Sequence, residues 1–144
     1  MVECLLIANS IKLKRQYFAG SFVAVNTTTM EIIKEGRKAK QYITDIKYSN
    51  DTTGLVAVAS NDGRVYLHES RGFEFVRAVE TTSKACSIRA VDFSSDGKVI
   101  RIGTNSDELF FYNIESSSLM TSATSVKDVV WSKPSVPYAW NFQG

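Results

Sequence analysis

The chain has 144 residues, 44% of them hydrophobic and 22% charged, with a net charge of +2. That is a single-domain length with enough apolar content for a core, and its mild basicity permits an acidic partner without demanding one. No basic face is clustered as a nucleic-acid binder's would be. The apolar run Val2 to Ala8 is too short to span a bilayer and lacks the leading cations of a secretory signal.

The two cysteines, Cys4 and Cys86, form no Cys-x-x-Cys or His-spaced pair, so neither a zinc site nor a disulfide framework is signalled. Reduced thiols suit the cytosol, and the chain reads as soluble and intracellular.

In chain order, residues 1–20 show no clear pattern. Phe22 to Asn26 reads as a strand, with Met30 to Lys34 as its outer neighbour, which makes half of a repeat unit over 21–35. The densest basic run, Arg37, Lys38 and Lys40, lies in the connection to the next unit. A strand over 43–49 follows, then the small apolar run Leu55 to Ser60, which suits a strand buried on both faces. Asn61-Asp62-Gly63 is a hairpin turn signal, because Asn and Gly accept positive φ at little cost. Residues 64–68 form the next strand, and Phe73 to Val79 a fourth, with Phe73, Phe75 and Val79 expected on one face.

The block then repeats. Ile43, Asp45, Ile46, Tyr48, Ser49 and Asp51 are echoed by Ile88, Ala90, Val91, Phe93, Ser94 and Asp96, an offset of 88 − 43 = 45. Leu55 to His68 is echoed by Val99 to Tyr112 at 99 − 55 = 44, so the only slip falls in a turn, where length changes cost little. Strands are predicted at 88–94, 98–104, 108–114 and, more weakly, 118–122. Repeats of this period with four short strands are blades of a β-propeller, which cannot bury their faces alone. The predicted fold is all-β: an incomplete propeller of about two and a half blades, with a half blade at 21–35, blades at 43–80 and 88–122, and the start of another over 126–144. Val126 to Ser132 reads there as an opening strand. Uncovered faces and edges imply either a fragment of a longer product or completion of the sheets by another chain.

Chemistry is poorly represented. His68, the single histidine, lacks partners for catalysis or a metal and reads as structural. Asp45 and Asp128 share a repeat position, which points to a structural or rim role, and Asp62 serves its turn. Ser94 to Lys98 lacks the glycine spacing of a phosphate loop and is a hairpin. Ser60 and Thr104 sit at strand ends, where they can bond across strands. No catalytic, cofactor or metal residues are assigned. Arg37, Lys38 and Lys40 are the candidate partner contacts, and Trp131, Tyr138 and Trp140, with Pro134 and Pro137, form a candidate packing or interface cluster.

The repeats resemble divergent WD repeats. His68-Glu69 and Tyr112-Asn113 stand where those repeats carry Trp-Asp, and no Gly-His pair opens a unit. A closer resemblance is to the echinoderm microtubule-associated protein-like family. It is carried by Ile43 to Leu67, by Ser87 to Asn113, and by Val126-Lys127-Asp128-Val129 with Trp131 and then Trp140 and Gly144. It covers roughly residues 21–144. The family's coiled coil and the hydrophobic motif before its propellers are not present here, and its microtubule attachment depends partly on them.

The resemblance implies a non-catalytic scaffold without cofactor that displays rim loops to tubulin or neighbouring cytoskeletal proteins. It also implies a place in the cytoplasm, on the cytoskeleton, and in a cilium or flagellar axoneme. Its expected partners are microtubules or microtubule-associated proteins and the remaining blades, with no nucleic acid and no membrane. The alternative is a general WD-repeat adaptor without tubulin binding.

Overall fold

The fold is taken from a computed structural model that describes residues 2–8, 11–16, 20–49, 53–82, 86–132 and 136. For the first two segments only the strands and their pairing are described. Twelve strands form three antiparallel four-stranded sheets, each a meander in chain order. The first holds β1 (Val2–Ala8), β2 (Ile11–Gln16), β3 (Ser21–Asn26) and β4 (Ile32–Gly36). The second holds β5 (Ile43–Tyr48), β6 (Leu55–Ser60), β7 (Arg64–Glu69) and β8 (Phe75–Glu80). The third holds β9 (Ile88–Phe93), β10 (Val99–Thr104), β11 (Leu109–Asn113) and β12 (Ser118–Met120). The first strands of the three sheets lie side by side, β5 touching both β1 and β9.

Strand β6 feeds two cores, which is why its sequence is apolar without alternation. Along β6, Ala57 and Ala59 face the third sheet, packing with Ile88, Val91, Phe93, Ile100 and Ile102. Val56 and Val58 face the first sheet, packing with Phe22, Ala24, Ile43, Ile46 and Phe73. Each fully buried aliphatic side chain contributes about 1.5–3 kcal/mol of transfer free energy, so stacking neighbouring sheets is what stabilises each of them. The far face of the third sheet has its own cluster, where Val99 and Phe111 meet Val126 and Trp131.

Three expectations are corrected. Residues 2–16 are not patternless: β1 and β2 complete the sheet of which 21–35 was expected to be half. In β2, Ile11 and Leu13 alternate with Lys12 and Lys14, a period-2 signal. In β1 a bulge between Cys4 and Leu6 breaks that alternation.

Phe73 is not in a strand. It sits in the β7–β8 turn at φ 57°, and Phe75 and Val79 lie on opposite faces. A register shift at Leu67/His68 pairs His68 with Phe75 but Leu67 with Arg77, which inserts one extra residue and reverses the phase of β8.

Val126 to Ser132 does not form an opening strand. It is a 3₁₀ turn (Ala123–Val126) followed by a single bridge, Ser94 to Trp131. Ser132 N–H donates to Phe93 O at 3.0 Å and Ser95 N–H to Val130 O at 2.7 Å. The segment therefore uses the free edge beside β9 and buries Val126 and Trp131 on the outer face of that sheet.

The third-to-fourth-strand turn of every sheet contains a non-glycine residue in the left-handed region. These are Met30 at φ 61°, Phe73 at 57° and Ser117 at 55°. The first two turns close alike: Met30 N–H donates to Asn26 O at 2.8 Å, and Phe73 N–H to Glu69 O at 3.0 Å.

Candidate interaction surface

The connection from β4 to β5, residues 37–42, crosses from the first sheet to the second and is seated by both. On one side lies Gly20, at φ 59°, where a Cβ would stand 2.4 Å from Ala39 O and 2.7 Å from Gln41 O. On the other side is the β6–β7 turn. Asp62 is its anchor, accepting Lys40 N–H at 2.8 Å, Arg64 N–H at 3.1 Å and the Tyr66 hydroxyl at 2.8 Å. Asn61 N–H donates to Tyr42 O at 3.0 Å, and the Asn61 amide to Gln41 Oε1 at 2.8 Å. The connection is a strap held by backbone bonds, and the turn chemistry assigned to Asp62 from sequence is only part of that residue's work.

The three candidate contact cations differ in what they touch. Arg37 forks onto Glu35 at 2.7 and 2.8 Å. The Lys38 ammonium lies 5.0 Å over the Phe75 ring. Lys40 is exposed and tied down through its backbone. They share one strap but not one anion-binding geometry. Beside the strap, Asp62, Gly63, Arg64, Glu80 and Thr81 line a cleft of about 220 Å³, below the usual range for a small-molecule pocket. Arg64 and Glu80 pair across it at 2.7 Å.

The titratable groups flagged from sequence occupy structural positions. His68 is buried, with Nδ1 3.1 Å from Phe73 O, and burial pushes its pKa below the ordinary imidazole value. Asp45 accepts Val91 N–H from β9 at 3.1 Å and lies 3.7 Å from Lys47 Nζ. Burial raises its pKa, opposed by Lys47 and the Val91 amide. Asp128 is exposed in a turn, so Asp45 and Asp128 do not occupy equivalent places despite the sequence echo. Ser60 Oγ donates to Gln41 O at 3.3 Å, and Glu108 N–H donates to Thr104 Oγ1 at 3.2 Å. Ser94 closes its hairpin on Asp96 at 2.6 Å. Among the described residues no group of three His, Cys, Asp or Glu side chains could hold a metal.

Trp131 packs beside Phe111, and the Arg101 guanidinium stacks on its ring at 4.2 Å. Tyr138 and Trp140 lie outside the described residues. Reading the sequence missed the pair beneath Trp131: Arg101 and Asp92 are both fully buried and joined at 2.7 Å. The Asp92 carboxylate also accepts Val136 N–H at 2.9 Å. The available signal was an arginine inside the apolar run Val99 to Ile102, opposite an aspartate in the paired strand.

Three four-stranded meanders stacked along their first strands make this part of a β-propeller of the WD-repeat class. The chain belongs to the WD40 family, residues 46–134 matching the family model described as the anaphase-promoting complex subunit 4 WD40 domain. It is 26% identical over 126 residues to the ciliary WD repeat-containing protein ctxp80 of Euplotoides octocarinatus, covering 87% of this chain. It is 23% identical over 115 residues to the 77 kDa echinoderm microtubule-associated protein of Strongylocentrotus purpuratus, covering 78% of this chain. The chain spans 17% of the length of each of these relatives. The family is a non-catalytic one, and WD40 domains mediate protein–protein interactions.

Proposed function

We propose that this chain is a scaffold element of a cytoskeletal, microtubule-associated protein, displaying its rim strap to an acidic protein surface such as tubulin or to neighbouring cytoskeletal proteins. The echinoderm microtubule-associated protein-like resemblance and the similarity to a ciliary WD-repeat protein and a microtubule-associated one carry this reading. The strap supports it physically. It is preorganised by Gly20 and Asp62, so little conformational entropy is lost when a partner docks. Remaining blades, from the same or another chain, would complete the propeller. Association with the cytoplasmic cytoskeleton, including a cilium or axoneme, follows from the same reading.

Co-sedimentation of the chain with polymerised tubulin tests it. The expected result is pelleting that weakens between low and physiological salt and falls further in Lys40→Glu. No pelleting at low salt, with the chain folded by circular dichroism, overturns it. The alternative, an adaptor for other proteins without tubulin binding, is favoured by one observation: Arg37 and Lys38 are already engaged within the chain.

A further inference from the structure

We propose that His68 is an acid-sensitive latch between the first two sheets: the neutral imidazole holds Phe22 of β3 against the β7–β8 turn, and its protonation loosens that junction. The geometry is a ring cluster that crosses the sheet boundary. The Phe22 ring meets His68 edge-on, centroids 4.9 Å apart at 80°, and lies 6.4 Å from Phe73. Phe75 approaches the other side of His68 at 5.7 Å. Phe22 has no slack on its own sheet, because a Cβ on its cross-strand neighbour Gly36 would stand 2.2 Å from the ring. Displacing His68 therefore shifts the whole Phe22 contact.

The surroundings relieve an imidazolium only in part: the Phe73 carbonyl and Glu74 favour the charged ring, but burial, Lys38 and Lys34 oppose it and prevail. His68 Nδ1 bonds a neutral acceptor, the Phe73 carbonyl. Opposite His68 on β6 stands Val56, and β3 presents Phe22. The charged groups nearby are Lys34 from β4, Lys38 from the strap and Glu74 from the turn; Tyr66 lies on the same strand. Glu74 is already paired with Lys34 at 2.5 Å, and Lys38 sits over Phe75. Two cations and one committed carboxylate leave a positive field around a buried ring, which favours the neutral form. Because the folded state holds the imidazole pKa below its ordinary value, the unfolded or opened state takes up the proton first. The junction weakens as pH falls through the ordinary imidazole range.

The test is amide hydrogen exchange on the whole chain at pH 7.5 and 5.5, corrected for intrinsic rates. Protection of β3 and β4 is expected to fall by roughly up to tenfold per pH unit below about 6.5, while β10 and β11 change far less. In His68→Phe the same strands should respond equally at both pH values. A uniform loss across all three sheets, or an unchanged pH response in His68→Phe, overturns the proposal. Should that variant fail to fold, the wild-type imidazole proton resonance decides, since the chain has one histidine. A folded-state titration at or above the ordinary value overturns the latch, and one displaced to lower pH supports it.

Discussion

Asp45 on β5 accepts the backbone N–H of Val91 on β9 at 3.1 Å, so a side chain of one sheet occupies a main-chain donor of the next. Further along, Asp92 takes Val136 N–H at 2.9 Å in the same manner. In both cases a carboxylate on a first strand captures an amide about one repeat later, and in the Asp45 case this fixes how far the second sheet slides on the third.

The Asp45 contact makes a pH prediction. Burial raises the Asp45 pKa, so its favourable contribution is present at low pH and fades as pH rises through the folded-state value. Asp45→Asn keeps an acceptor for Val91 without the buried charge. It should match wild type in acid and equal or exceed it at pH 7.5 in urea denaturation. Asp45→Ala leaves the amide without this acceptor and should cost about 1–3 kcal/mol at both pH values.

The Arg101–Asp92 pair makes a second prediction. Removing one partner of a buried pair strands the other charge, so Arg101→Met should cost about 3–5 kcal/mol. Arg101→Met combined with Asp92→Leu should recover part of that loss, falling short by the Val136 amide that Asp92 no longer accepts. Chemical denaturation of the two single variants and the double variant gives the coupling energy directly.

Gly20→Ala should disturb the strap and little else. A methyl there meets Ala39 O at 2.4 Å and must also adopt a positive φ. Backbone strain of this kind costs about 1–3 kcal/mol, and it should appear as faster exchange at residues 39–42 with β10 unchanged.

Alkaline titration offers a fourth check. Burial raises Tyr48 and Tyr66 to about 12, in Tyr66 aided by its hydrogen bond to Asp62. Tyr48 and Tyr66 should ionise above the ordinary tyrosine value in the absorbance titration at high pH. Their contribution to stability is intact below the ordinary tyrosine value of about 10 and is lost as pH climbs toward 12.

The sequence echo was legible where packing and turns act together. The run from Leu55 to Ser60 alternates between two cores, and Gly63 and Gly97 adopt the positive φ their turns require. It was illegible where a bulge shifts the phase, as in β1 and β8, because period-2 reasoning assumes uninterrupted pairing. The segment 126–132 copies the residues of an opening strand but not its surroundings. Among the described residues it pairs only beside the end of β9, through the Ser94 to Trp131 bridge. The candidate cations were visible as a run of residues. The commitment of Arg37 to Glu35 is local, but those of Lys38 to Phe75 and of Lys40 to the Asp62 turn depend on contacts between distant parts of the chain.

The hairpins containing Met30, Phe73 and Ser117 have one more implication. A thioether, a benzyl ring and a hydroxymethyl group share no chemistry, yet each tolerates the same unfavourable torsion at the corresponding bend. The repeat is kept here in dihedral angles where the residues differ. Kinship among such modules is better sought by comparing backbone conformation than by aligning letters.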